Sequence, residues 1–312
     1  MSQENSQNHW EGQVIQKVLL EHVHEQRRAR RWGIFFKLLI IAFVVVLFAS
    51  FSSKKDAPPP VAIARHHTAL IDVYGVIDAN EEANADDIRQ SLRSAFENKL
   101  VKGVIIRINS PGGSAVQARQ VYDEIKVLRE KHQNTKIYAA IEDVGTSAAY
   151  LIACATDEIY SDKTSFVGSI GAKIDSFGFV EAMQKLGVER RIYSSGQFKN
   201  ILDPYSQSTP EETAFVISQV ESAHRAFIEN VIEGRGNRID PNNTTLFSGL
   251  FWSGDNALKL GLIDGFGDTY FIARELLKTE NIVDYTPRVS FFDKIARRVG
   301  ASIALTLTKL MR

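Results

Sequence analysis

The sequence predicts an α/β protein built around a parallel sheet, and three observations support this fold class. After residue 66, short apolar and β-branched runs alternate with longer segments of helical periodicity. The helical segments are long enough to be βαβ crossovers, which place successive strands in parallel. Two of the runs end in turns of small residues, at the strand ends where such folds build their sites.

Taken in order, the runs and periodic segments predict six strands and five helices. We expect the strands at residues 69–74, 103–109, 136–141, 158–160, 169–174 and 188–193. We expect the helices at about residues 86–99, 115–131, from 147 onward, 177–186 and 211–233.

Composition narrows the classes of function. The 312 residues include 37 Lys+Arg and 37 Asp+Glu, so no basic excess indicates a nucleic-acid partner. Cys154 is the single cysteine, which excludes an intrachain disulfide and a CxxC metal site. It lies in an apolar run, which favours a buried packing role over a reactive thiol.

Residues 33–51 are nineteen consecutive residues with one charge, Lys37, close to the roughly 20 residues that a membrane-spanning helix requires. More than thirty residues precede this stretch, which is too many for an ordinary cleaved signal peptide. Four arginines at 27, 28, 30 and 31 lie before it, against Lys54 and Lys55 after it. The positive-inside rule therefore predicts a cytoplasmic N-terminus and an extracytoplasmic body.

The chain accordingly divides into five parts. We expect an N-terminal segment at 1–32, a transmembrane anchor at 33–51, a proline-containing linker at 52–65, a folded domain at 66–288 and a cationic amphipathic helix at 289–312.

Two small-residue turns, Ser110-Pro-Gly-Gly-Ser114 and Val144-Gly-Thr-Ser147, are the first indication of a site. They would meet at one sheet edge if their strands are neighbours. A serine at a strand-to-helix junction has an outward hydroxyl beside free backbone N–H groups, which can hold an oxyanion. Ala148 and the Gly112-Gly113 pair could supply these N–H groups. On residue type alone, a capping serine and a simple turn remain the alternative.

A nucleophilic serine needs a base. Five of the seven histidines lie before or beside the predicted anchor and linker, and His132 and His224 lie in polar helical segments, so a His-based triad is disfavoured. Lysine is the other available base where burial lowers its pKa from about 10.4. Lys199 stands out because its loop neighbours Phe198, Ile201 and Leu202 are apolar. The residues alone suggest a Ser–Lys dyad and leave it open.

Five motifs also carry a resemblance to a known family. They are Ile108-Asn-Ser-Pro-Gly-Gly-Ser114, Gly145-Thr-Ser-Ala-Ala-Tyr150, Val167-Gly-Ser-Ile-Gly171, Ser195-Gly-Gln-Phe-Lys199 and Ala257-Leu-Lys-Leu-Gly-Leu-Ile-Asp264. With them, residues 66–285 resemble the signal peptide peptidase A family, bacterial membrane-bound Ser–Lys peptidases of the ClpP/crotonase fold. The resemblance implies repeated ββα units. Its most specific part is Gly-Gln-Phe-Lys-Asn-Ile-Leu-Asp-Pro, whose lysine follows Ser147 by 52 residues.

The resemblance implies a role for each site residue. Ser147 attacks the scissile carbonyl, Lys199 accepts its proton and Ser169 orients the lysine. The backbone N–H groups of Gly113 and Ala148 form the oxyanion hole, and neither cofactor nor metal is required. Many relatives have glycine directly after the nucleophile, where this chain has alanine, which puts substrate preference in doubt.

The resemblance also implies a membrane-anchored endopeptidase that degrades cleaved signal peptides and other peptides. It would sit in the bacterial inner membrane with its catalytic domain on the periplasmic side. Since the chain carries one copy of the unit, we expect a homo-oligomer, an octamer, in which one subunit's lysine serves its neighbour's serine. The alternatives are a crotonase-like acyl-CoA enzyme, a SohB-type peptidase of the same chemistry and a non-enzymatic membrane scaffold.

Overall fold

A computed structural model describes residues 30–43, 46 and 65–287 of the chain. The chain divides into two units, residues 1–62 and 63–312. In the first unit, residues 30–43 are helical, and their apolar side chains, such as Phe43, are exposed. Across the described ranges, no helix combines the length and the hydropathy that crossing a membrane requires. The predicted anchor at 33–51 extends past these residues and stays a prediction.

Two further predicted segments fall outside the described residues. These are the linker at 52–65, apart from its last residue, and the C-terminal helix at 289–312.

The second unit contains an eight-stranded sheet. Its strands are β1 (His67–Tyr74), β2 (Val101–Ser110), β3 (Lys136–Thr146), β4 (Glu158–Ser161), β5 (Phe166–Gly168), β6 (Phe251–Ser253), β7 (Gly265–Phe266) and β8 (Ile282–Asp284). The order is β6-β5-β3-β2-β1-β8, with β4 also beside β3 and β7 beside β4. Every pairing is parallel except that of β5 with β6. The predicted α/β class with a mainly parallel sheet is confirmed.

The helices of this unit connect and cover the strands. They are α1 (Ala85–Glu97), α2 (Ala115–Lys131), α3 (Ala148–Cys154), α4 (Val180–Lys185), α5 (Pro210–Arg235), α6 (Gly254–Lys259) and α7 (Thr269–Phe271), the last running into a π-helical turn at Ile272–Leu276. Helix α5 begins at a capping box, because Thr209 and Glu212 each bond the other's backbone N–H and Pro210 follows the cap.

Strand β3 determines where the site forms. One of its edges pairs with β2, while the other pairs first with β4 and then, at its carboxyl end, with β5. The helix that follows it, α3, is buried along all seven residues, and the Tyr150 hydroxyl donates to the Leu262 carbonyl over 2.7 Å. Because α3 is short and packed along its whole length, the residue that precedes it is held in one position.

The main core lies between the sheet and α1, α2 and α3. Its central side chains include Ile71, Ile106, Ile108, Val121 and Ile152, all fully buried. A smaller cluster on the opposite face packs Leu70 and Ile105 against Ile272. Helix α5 is tied to this body by Arg235, which is 1% exposed and binds Asp264 and the Gly261 carbonyl.

Two predicted strands are wrong. Residues 169–174 and 188–193 contain no strand, and β5 ends at Gly168. Positive φ angles at Gly168 and Ser169 turn the backbone out of the sheet. In 188–193 the apolar side chains that suggested a strand are exposed, Tyr193 at 93%. The helix predicted at 177–186 is shorter, Val180–Lys185, and β3 runs five residues past its predicted end.

Candidate active site

Ser147 lies where β3 gives way to α3, as predicted. Its backbone has φ 55° and ψ −125°, a conformation that non-glycine residues rarely adopt. Its side chain makes no capping hydrogen bond to α3, although serine is a good cap. Ser147 lines an open cleft, and its backbone strain is of the kind that persists only where the surrounding structure enforces it. This geometry favours the nucleophile over the capping role.

The Pro-Gly-Gly turn directly contacts Ser147. A Cβ placed on Gly112, whose φ is 99°, would lie 2.8 Å from the Ser147 Cβ and 2.9 Å from the Ala148 nitrogen. The two small-residue turns therefore meet at one sheet edge, because β2 and β3 are neighbours. Only glycine allows this approach.

Gly113 presents its backbone to the same cleft. The loop is joined to Ile77 by two hydrogen bonds, which use the Gly112 carbonyl and the Ser114 N–H. This pairing leaves the Gly113 N–H unused, and Gly113 and Ala148 both line the cleft beside Ser147. Two backbone N–H groups next to a serine hydroxyl are the arrangement that stabilises the oxyanion of an acyl-transfer reaction.

Ser169 is held next to Ser147 through the backbone. The Ser147 N–H donates to the Gly168 carbonyl over 2.8 Å, and the Ser169 N–H donates to the Leu250 carbonyl over 2.8 Å. Ser169 is half-buried and also has a positive φ, 53°. The structure thus brings together four of the predicted site residues: Gly113, Ser147, Ala148 and Ser169.

The cleft has a volume of about 660 Å³. Its apolar walls come from α2, α3 and α5, through Val116, Leu151 and Phe227. Its polar lining includes Arg119, which donates to Asn230 over 2.5 Å and to Asp123 over 2.8 Å. The hydrogen bond that Arg119 donates to the Asp123 carboxylate raises the pKa of the guanidinium, so the cation persists at any physiological pH.

Lys199, the fifth predicted residue, lies apart from these four. It occupies an exposed turn in the segment between β5 and α5, where its N–H donates to the Gly196 carbonyl over 3.2 Å. It does not line the Ser147 cleft. Within one chain, the serine and the lysine are therefore not brought together.

Within the part of the chain that the structure describes, His224, Glu142 and Asp143 are engaged in other hydrogen bonds. His224 Nε2 lies 3.1 Å from the Ile170 carbonyl oxygen, so it carries the proton and donates. The Tyr74 hydroxyl donates to Glu142, while Asn109 donates to Asp143, so these adjacent carboxylates bind different partners. Residues 30–43, 46 and 65–287 contain no group of three acidic, His or Cys side chains arranged to hold a metal ion.

Helix α5 also contributes to the cleft, which was not predicted from the sequence. Ala223, Ala226 and Asn230 line it, although they follow Ser147 by more than seventy residues. Asn230 is 6% exposed, and its amide donates to the Ala226 carbonyl. The sequence signal for this contribution was an asparagine, Asn230, on a helix that also carries small residues three positions apart, Ala223 and Ala226.

Comparison with known proteins gives matches to one family. Residues 129–282 match peptidase family S49. The serine protease SPPA of Arabidopsis thaliana chloroplasts is 29% identical over 209 residues, which are 66% of this chain and 30% of that protein. Protease 4 of Haemophilus influenzae is 29% identical over 206 residues, 64% of this chain and 32% of that protein.

A stronger match carries a different name. The Na(+)/H(+) antiporter NhaA of Brucella melitensis is 45% identical over 184 residues, 59% of this chain and 25% of that protein. Three quarters of that antiporter lies outside the match. The chain spans between a quarter and a third of the length of these three relatives.

Proposed function

Because residues 129–282 match peptidase family S49, we propose that this chain is a serine peptidase with Ser147 as its nucleophile. The observation that carries the proposal is the Ser147 backbone, strained at φ 55° and in contact with the Gly112-Gly113 turn. Such strain persists only where surrounding structure enforces it, and it is typical of catalytic positions. Ser147 lines the cleft beside Gly113 and Ala148, whose backbone N–H groups can serve as donors.

The proposed reaction is acyl transfer. The Ser147 oxygen attacks the carbonyl carbon of a peptide bond as Lys199 takes the hydroxyl proton, and the N–H groups of Gly113 and Ala148 stabilise the resulting oxyanion. Expulsion of the amine, with the proton returned by the lysine, leaves an acyl-enzyme that water hydrolyses. Ser169, which directly follows the Gly168 that accepts from the Ser147 N–H, orients the lysine.

We place the lysine of one subunit at the serine of another. Two facts support a shared site: Lys199 is absent from the cleft lining of its own chain, and its segment exposes large apolar side chains. Phe177 is 77%, Leu186 78% and Tyr193 93% exposed. A monomer rarely leaves so many rings and branched chains in water. A closed ring of eight identical subunits, each with the ClpP/crotonase-like fold, would cover these apolar side chains.

We propose extended peptides with apolar side chains as substrates, such as signal peptides left in the membrane after cleavage. The support is the apolar wall formed by Val116, Leu151 and Phe227 beside the nucleophile. The apolar stretch at 33–51 would hold the chain in the bacterial inner membrane with its body on the periplasmic side.

The test uses the full-length chain in detergent with a fluorophosphonate probe and a panel of fluorogenic peptides. We expect labelling and peptide cleavage in the parent protein and neither in Ser147→Ala. Labelling that survives in Ser147→Ala would contradict Ser147 as the nucleophile. Full turnover by Lys199→Ala at neutral pH would contradict Lys199 as the base. Hydrolysis of acyl-CoA thioesters with no peptide cleavage would instead indicate the crotonase-like alternative.

A mixing experiment tests the shared site. Ser147→Ala and Lys199→Ala are combined under conditions that exchange subunits, with exchange verified by two affinity tags. Recovered activity requires the serine and the lysine to come from different chains. Verified exchange without recovery would contradict the shared site and leave the nucleophile assignment standing.

A further inference from the structure

The turn that carries Lys199 is held in a strained conformation. Leu202, three residues after the lysine, has φ 65°, a left-handed value unusual for a branched side chain. Three backbone hydrogen bonds close the turn: the Lys199 N–H to Gly196 and the Ile201 N–H to Phe198, each 3.2 Å long, and the Asp203 N–H to Asn200, 3.0 Å long. Side-chain contacts in addition to these backbone bonds must hold the strained Leu202 in place.

Asp203 supplies those contacts. Its side chain is only 12% exposed, although the segment around it lies at the surface. Its carboxylate accepts from Arg190 Nη1 at 2.5 and 2.6 Å, from the Ser206 hydroxyl at 2.9 Å and from the Tyr205 N–H at 3.2 Å. Its N–H donates to the Asn200 carbonyl over 3.0 Å, which closes the turn directly after Lys199. The charged hydrogen bond from Arg190 keeps the pKa of this carboxyl below its ordinary value.

Arg190 is itself fixed from a second direction. Its guanidinium lies 5.0 Å from the centre of the Tyr205 ring, and that ring stacks on Phe179 with centres 5.6 Å apart. The Phe179 N–H donates to the Pro204 carbonyl over 2.7 Å. Through Phe179 and Arg190, the residues on either side of α4 are thus joined to the residues that follow Lys199.

We propose that the Arg190–Asp203 ion pair is the positioning device for the catalytic lysine. The pair fixes the strained turn, so that the Lys199 side chain extends away from its own subunit in one direction. The amine then reaches the serine of a neighbouring subunit without sampling other conformations. The proposal rests on the proposed function, because it requires Lys199 to be the base. Misplacement of a reacting group by about 1 Å costs on the order of 100-fold in rate, so a surface ion pair far from the cleft can control turnover.

The expected effect of breaking the pair is on kcat and not on KM. Neither residue lines the cleft, so binding of the peptide should be unchanged. For Asp203→Asn and Arg190→Gln we expect kcat to fall roughly 10- to 100-fold with KM within about twofold of the parent. The exchanged pair Arg190→Asp with Asp203→Arg should recover at least about tenfold over either single exchange, since it restores the attraction.

The chain offers a matched control in the same segment. Glu189 and Arg191 form a two-point pair at 3.0 Å, but both side chains are 71% exposed and neither touches the lysine turn. Glu189→Gln should keep the parent kcat. All variants are compared as full-length protein in detergent, with melting temperature and oligomer size measured beside the kinetics.

The outcomes separate the two proposals. Full turnover by Lys199→Ala would contradict both the proposed function and this inference. If Lys199→Ala is inactive but Asp203→Asn and Arg190→Gln match Glu189→Gln, the positioning role alone is wrong. A rise in KM at constant kcat would also overturn it. Should Asp203→Asn fail to assemble, Arg190→Gln decides by itself: parent kcat contradicts the role, and a fall in kcat at unchanged KM supports it.

Discussion

The backbone N–H of Ser147 donates to the carbonyl of Gly168 across 2.8 Å. The bond joins the carboxyl end of β3 to that of β5 and places a serine with left-handed backbone on each side of it, Ser147 at φ 55° and Ser169 at φ 53°. These are two of the four non-glycine residues with positive φ within 30–43, 46 and 65–287. The candidate site thus concentrates backbone strain at two neighbouring strand ends.

Replacing Gly112 with alanine should abolish most of the activity. The new Cβ would lie under 3.0 Å from the Ser147 Cβ and the Ala148 nitrogen, and the φ of 99° disfavours any side chain. We expect kcat to fall at least about 100-fold, the loss typical of a disrupted oxyanion hole. Gly178→Ala is the control, because no atom lies within 4 Å of its added Cβ. Near-parent turnover of a fluorogenic peptide by Gly112→Ala would contradict the geometry.

His224 should prove to be a donor to backbone and not a base. Its Nε2 donates to the Ile170 carbonyl, which holds α5 against the residues that line the cleft. A glutamine amide can make the same bond, so His224→Gln should retain most of the kcat while His224→Ala loses several-fold. Equal inactivity of the two variants, in assays across pH 5–9, would instead indicate that the imidazole takes part in proton transfer.

The buried ion pair of Arg235 and Asp264 should be a major contributor to stability. Arg235 is 1% exposed, and removing it leaves a carboxylate whose strongest partner is gone. Arg235→Met should lower the free energy of unfolding by about 3–5 kcal/mol. Lys259→Met breaks an exposed pair with Asp255 and should cost no more than about 1 kcal/mol. Urea denaturation followed by tryptophan fluorescence measures both, and equal costs would contradict the prediction.

Cys154 should make the protein lose stability at high pH. Burial raises the pKa of its thiol from 9.0 to about 12. Above pH 9 the unfolded chain releases this proton while the folded protein retains it, so the contribution is complete below pH 9 and is lost as pH rises toward 12. The slope approaches about 1.4 kcal/mol per pH unit from this group.

Cys154→Ala isolates that contribution, because buried tyrosines titrate in the same range. The stability difference between parent and variant should shift in favour of the variant from pH 9 to 10.5. A constant difference over that range would show that the thiol ionises normally. Iodoacetamide provides a second measurement: at pH 8 the folded parent should resist alkylation, and the denatured chain should react.

Local sequence patterns were sufficient to predict the long helices and strands of the second unit. The pattern of 115–131 and 211–233 identified α2 and α5 nearly to the residue, because α2 begins at the Ser114 cap and α5 at the Thr209 capping box. The short strands β6, β7 and β8 were not predicted, since two or three residues carry no periodic signal. The wrong strand at 188–193 has the composition of a strand but no neighbour to pair with, and composition alone cannot supply a partner.

By itself, the sequence determined the α/β class and the position of Ser147, because element type and strand-end turns depend on residues close together in the chain. Only the tertiary structure decided that α5 walls the cleft, that Ser147 and Ser169 flank one hydrogen bond, and that Lys199 lies outside the cleft of its own chain. Those relationships join residues twenty to eighty positions apart, and they follow from which strands pair and which faces pack. No local pattern encodes that choice.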